Sequence, residues 1–149
     1  IYRRMLPQFS VLALRDGVLS DMAPNDSQPR GETVGVLRFD AALFFANASS
    51  FETAVLKLQR ENAGLRYIVV LAHGINLLDA SGVEVLRSLV HHLRESGITL
   101  IISNAKRQFL EVAERTGLAD QIGRENFFDR DDLAFARVCE PFPASDAAH

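Results

Sequence analysis

Few residues of this 149-residue chain have the type and spacing for chemistry, and most of them stand in one stretch, AHGINLLDASGVEVL, from Ala72 to Leu86. Asp79 precedes an apolar-periodic run, so its carboxylate is placed to cap a helix whose first turn holds Ala80, Ser81 and Gly82. Free amides at a helix start also attract anions, but a capping Asp already fills that place. His73, Ser81 and Asp79 are the residue types of a hydrolase triad. No G-x-S-x-G elbow accompanies them, and His73 reads as a loop histidine. His91 and His92 are adjacent, whereas two metal ligands on one helix must sit about three or four residues apart. Cys139 stands alone beside Glu140, a setting for an inert thiol rather than a nucleophile. No G-x-G-x-x-G or Walker loop occurs. No constellation supports an enzyme.

These residues need elements to hold them, and the hydrophobic pattern supplies alternating strands and helices. Ser10 to Leu14 is a short apolar strand, followed by a turn signal at Asp16-Gly17. Asp21 to Gly31, DMAPNDSQPRG, has too little apolar surface to offset ordering and reads as a mobile loop. Thr33 to Phe39 is a strand. Ser49 and Glu52 have capping-box spacing, and Phe51, Val55 and Leu58 continue a helix to about Glu61. Phe44-Phe45 would then lie in a buried turn between strand and helix. Tyr67 to Ala72 is uniformly apolar, as a strand buried on both faces should be.

Ser81 to Ser96 places Leu86, Leu89, Val90 and Leu93 on one helical face and stops at Gly97. Thr99 to Ile102 is a strand, and Lys106 to Thr116 is a helix closed by Gly117. Phe127-Phe128 suits an edge strand. Asp129 is placed to cap a last helix through Arg137, with Leu133 and Ala136 facing in, before Pro141 and Pro143. Such alternation implies an α/β fold, with parallel strands joined by crossover helices and the first strand antiparallel at one edge. We expect a mixed, mostly parallel sheet of four to six strands with four or five helices. Ligands of such sheets meet the loops beyond the carboxyl ends of the strands. Those loops are Asp40 to Asn47, His73 to Gly82, and Ser103 to Lys106.

Sixteen Lys and Arg against nineteen Asp and Glu leave a net charge of -3, which argues against nucleic acid as a partner. One cysteine excludes an internal disulfide framework and a thiolate-rich zinc site, and reduced surroundings fit. No stretch approaches the ~20 apolar residues of a spanning helix. The first residue is Ile1, so a piece of something longer is expected.

The run LRFDAALFFANASSFE, from Leu37 to Glu52, resembles the sulfate-transporter version of the STAS domain. Ala41-Ala42 replaces the usual Gly-Pro there, while Leu43 to Ala48 match. NLLDASGVEVL (Asn76 to Leu86) resembles the family's Asp-hydroxyl-hydroxyl-Gly loop. GITLIISNAKRQFLEVAERTGL, from Gly97 to Leu118, is similar in register. PQFSVLA, near the start, resembles the segment that joins the last transmembrane helix to this domain. The resemblance implies one STAS domain over residues 1–149, with a linker at 1–9, a mobile loop at 21–31 and a disordered tail at 141–149. It implies a non-enzymatic, cytoplasmic carboxyl-terminal part of a SulP (SLC26-like) anion transporter, at the inner face of the plasma membrane. Its partners would be the transmembrane domain of the same transporter, a second copy in the full-length dimer, and cytosolic proteins. No cofactor is implied, although some family members are linked to nucleotide or acyl-carrier-protein binding.

The regulatory, partner-binding loop would be Asp79, Ala80, Ser81 and Gly82, with Asn47, Asn104 and Lys106 in neighbouring loops. In the sigma-regulating branch of the family, a phosphorylated serine follows the motif Asp. Ala80 stands there in this chain, which weakens the alternative of a stand-alone anti-sigma factor antagonist.

Overall fold

A computed structural model describes residues 8–15, 18–21, 32–40 and 45–140. Six strands and five helices follow one another: β1 (Gln8–Arg15), β2 (Val18–Asp21), β3 (Thr33–Arg38), α1 (Phe45–Glu61), β4 (Leu65–Leu71), α2 (Ala80–Glu95), β5 (Thr99–Ser103), α3 (Arg107–Arg115), α4 (Leu118–Ile122), β6 (Phe127–Phe128) and α5 (Asp131–Cys139). The strands form one sheet in the order β2-β1-β3-β4-β5-β6. From β3 to β6 the pairing is parallel, because each step crosses over through one or more helices. β1 runs antiparallel to both β2 and β3. This is the expected α/β class, a mixed and mostly parallel sheet.

β4 shows why its sequence is uniformly apolar. Its side chains alternate across the sheet: Ile68 and Val70 enter one core, Tyr67 and Val69 the other. The first core lies under α1, α2, α3 and α4, which contribute Phe51, Val55 and Leu58, then Leu86, Leu89 and Leu93, then Phe109 and Val112, then Leu118 and Ile122. Phe39 and Phe51 meet edge to face there, with ring centroids 5.6 Å apart. The opposite face is covered by α5, which sets Ala134 and Val138 against Val34, Tyr67, Val69 and Ile101.

α2 ends as its sequence directs. Gly97 adopts φ 78°, which a residue without a Cβ takes at no cost, and the Ile98 amide reaches back to the Leu93 carbonyl at 2.8 Å.

Several expectations need correction. β1 is antiparallel but not at the edge, because Val18–Asp21 forms a further strand that pairs antiparallel with it. That strand also takes in Asp21, the first residue of the expected loop, and β1 takes in Gln8 and Phe9 of the expected linker. The rest of both segments, the tail at 141–149 and Phe44 lie outside the described residues. Ser49 is not a cap: α1 begins at Phe45, and Ala48 is already buried one turn before Phe51. Asp129 is not the cap of α5, which starts at Asp131 with Arg130 at the N-cap and no side-chain cap bond. Leu133 is 43% exposed and Ala136 also faces solvent, because the buried i, i+4 pair is Ala134 and Val138. α4 has no counterpart in the sequence reading.

Candidate functional site

The carboxyl ends of β3, β4 and β5 open into one cleft of about 430 Å³. From β3 come Arg38 and Asp40, whose side chains pair at 2.8 Å. From β4 come Leu71 and the 3₁₀ turn Ala72–Gly74, then Asn76. From β5 come Asn104 and Lys106, and the first residue of α5, Asp131, completes the lining. The parallel topology explains the convergence, since every parallel strand delivers its following loop to the same end of the sheet.

Two backbone features shape this end. A Cβ on Gly74 would lie 1.9 Å from Asp40 Oδ1 and 2.9 Å from Asp40 Cα, so no side chain fits there. Asn104 holds φ at 56°, a left-handed conformation that Asn tolerates better than most residues. Its amide donates to the Phe128 carbonyl at 2.8 Å, which ties β5 to β6. The buried Ser103 hydroxyl donates to Asp131 Oδ1 at 2.5 Å and so fixes the start of α5. Lys106 Nζ donates to Asn76 Oδ1 at 2.7 Å across the β4 and β5 loops. His73 is exposed, and the structure gives its ring no hydrogen-bond partner among the described residues.

The Asp79 segment has a different character. The Asp79 carboxylate accepts from the Gly82 amide at 3.0 Å, and the Asp79 carbonyl accepts from Val83 N–H at 2.9 Å, as an N-cap should. The residue before it is clamped as well: Gln108 accepts from the Leu78 amide at 2.8 Å and donates to the Leu78 carbonyl at 3.0 Å. Ala80 is exposed, Ser81 half-buried and Gly82 buried. None of Asp79, Ala80, Ser81 or Gly82 lines the cleft, whereas Asn104 and Lys106 do. Asn47 lies in the first turn of α1 rather than in a loop.

The loops marked in the sequence, Asp40 to Asn47 and His73 to Gly82, contain Asp40, His73 and Asn76 without naming them as site residues, and Arg38 and Asp131 lie outside every marked loop. Polar residues directly beyond three apolar strands were a usable signal for all but Asp131. Among the described residues, no group of His, Cys, Asp and Glu is placed to hold a metal ion. No described helix is long and apolar enough to cross a membrane.

A mixed, mostly parallel sheet with this strand order, covered by helices on both faces and opening into a polar cleft, defines a small α/β domain. Residues 28–134 match the STAS domain family, and the chain belongs to that family. Its curated relatives are sulfate transporters. It is 32% identical over 105 residues to probable sulfate transporter 4.2 of Arabidopsis thaliana, a match covering 64% of this chain and 16% of that protein. It is 29% identical over 126 residues to probable sulfate transporter Rv1739c of Mycobacterium tuberculosis, covering 82% of this chain and 22% of that protein. The chain thus spans about a fifth of the length of the transporters it matches.

Among solved structures, the SulP transporter STAS domain of Vibrio cholerae shares the fold at TM-score 0.59 and 17% identity, over 87% of this chain and 90% of that one. The murine Solute Carrier 26 family member A9 anion transporter does so at TM-score 0.69 and 17% identity, over 92% of this chain and 23% of that one.

Proposed function

We propose that the chain is the regulatory STAS domain of a SulP-type anion transporter, standing at the cytoplasmic face of the inner membrane and continuous with the transmembrane domain of the same polypeptide. The observation that carries this reading is the identity to sulfate transporters over most of the chain, in a segment that is a minor part of each of them. The domain catalyses nothing in this reading. It helps assemble the transporter, which pairs as a dimer at full length, and it transmits the binding of a cytosolic ligand or protein to the membrane part. The cleft at the carboxyl ends of β3, β4 and β5 is where that binding occurs, because its polar side chains have capacity that the fold does not use.

Regulation by phosphate on the Asp79 loop is not part of this function. Ala80 has no hydroxyl, and Ser81 lies half-buried in the first turn of α2. Cell fractionation tests the reading. An antibody against the chain should detect a polypeptide several times larger than 16.5 kDa in the membrane fraction, cleaved by protease only in inside-out vesicles. A cytosolic protein of the chain's own size would overturn it.

A further inference from the structure

We propose that the cleft binds a small zwitterion, a molecule that joins an ammonium group to a carboxylate or phosphate. The proposal rests on the cleft being the domain's ligand site. Lys106 and Asp131 line the same cleft, yet neither pairs with an opposite charge among the described residues. The Lys106 ammonium has three donors and, among the described residues, meets only the neutral Asn76 amide oxygen. The Asp131 carboxylate meets only the neutral Ser103 hydroxyl, on Oδ1, which leaves Oδ2 without a hydrogen bond among the described residues. The other charges in the lining, Arg38 and Asp40, neutralise each other. Among the described residues, one cation and one anion of the cleft therefore lack a charged partner, each held by a neutral neighbour.

The charge balance decides among ligand classes. Among the described residues, two cations, Arg38 and Lys106, and two carboxylates, Asp40 and Asp131, line the cleft. Sulfate or a nucleotide would bring several negative charges beside Asp40 and Asp131, and like charges in a cleft act against binding. A simple cation would meet Lys106 in the same way. A zwitterion satisfies both ends, with its anion on Lys106 and its ammonium on Asp131. Such a group occurs free in solution and as the headgroup of phosphatidylethanolamine.

Titration calorimetry of the 149-residue chain with O-phosphoethanolamine, glycine, inorganic sulfate and ATP tests the proposal, beside sedimentation with phosphatidylethanolamine vesicles. Saturable binding of O-phosphoethanolamine or glycine, tighter than that of sulfate or ATP, is expected. Lys106→Ala and Asp131→Asn should each weaken it roughly ten- to a hundredfold, the range of one charge-assisted hydrogen bond. Asn at 131 keeps an oxygen for the Ser103 hydroxyl, and an unchanged melting temperature shows that either variant is folded. Vesicle binding that O-phosphoethanolamine displaces identifies the lipid source, and soluble binding without vesicle binding identifies the free one. No saturable binding of any zwitterion in either format, equal or tighter binding of sulfate or ATP, or variants of unaltered affinity would overturn the proposal. Cell fractionation tests the transporter reading separately, so either can fail while the other stands.

Discussion

The Asp79 segment and the neighbouring cleft are both built from polar residues at the carboxyl end of the sheet, yet they use those residues in opposite ways. Asp79 caps α2, Gln108 clamps Leu78 on both its amide and its carbonyl, and the segment's hydrogen-bonding capacity goes into the fold. In the cleft, Lys106, Asp131 and His73 have fewer partners among the described residues than they can hold. A motif that stands out in sequence therefore need not be the working surface. Polar groups that serve a helix N-terminus give a strong sequence signal because capping fixes their spacing. Groups whose hydrogen-bonding capacity the fold leaves spare have no such local constraint.

The contrast between a structural segment and a spare cleft can be broken by substitution. The largest effect belongs to the anchor of the Asp79 segment. Leu86, Leu89 and Leu93 of α2 are fully buried in the core shared with Ile68 and Val70. Each change to Ala should lower stability by about 2–5 kcal/mol in denaturant melts. Unchanged melts for all three would show that α2 is not held there.

Gly74→Ala should come next, at about 1–3 kcal/mol, because the new Cβ would collide with the Asp40 backbone as well as its carboxylate. It also reshapes the cleft, so it should reduce ligand binding where a purely structural change elsewhere would not. Asp79→Ala removes the cap and should cost about 0.5–2 kcal/mol while leaving cleft binding intact. Lys106→Ala should give the reverse pattern, a stability change within about 0.5 kcal/mol and a clear loss of binding.

Thr33 supplies a control, since its buried hydroxyl has no hydrogen-bond partner among the described residues and lies at the start of β3, away from the cleft. Thr33→Val should raise stability by about 1 kcal/mol, as burying an unpaired hydroxyl is unfavourable, and should leave binding unaltered.

The fold was legible where the pattern was long. β3, β4, β5, α2 and α3 follow from apolar runs and helical spacing, and the Asp79 cap follows from its place before α2. The misses have physical causes. Val18–Asp21 is too short to show an alternation, and it becomes a strand because β1 offers it an edge. Leu118–Ile122 has five residues, fewer than two helical turns, so its periodicity is invisible beside the Gly117 stop signal. In α5, the sequence reading turns Leu133 and Ala136 inward, but the small Ala134 lets the helix sit close to Tyr67 and Val69.

The cleft was half legible. Asn104 and Lys106 stand directly after β5 and were marked by topology alone. Asp131 is far along the chain from the β3 and β4 loops, and only the docking of α5 brings it to Ser103.

The most direct test of the contrast is to map backbone amide shifts of the chain by nuclear magnetic resonance during titration with O-phosphoethanolamine. Expected are saturable shifts at 38–40, 73–76, 104–107 and 131, with 79–84 nearly still. Shifts centred on 79–84, or no saturable shifts at the cleft, would contradict its assignment as the working surface.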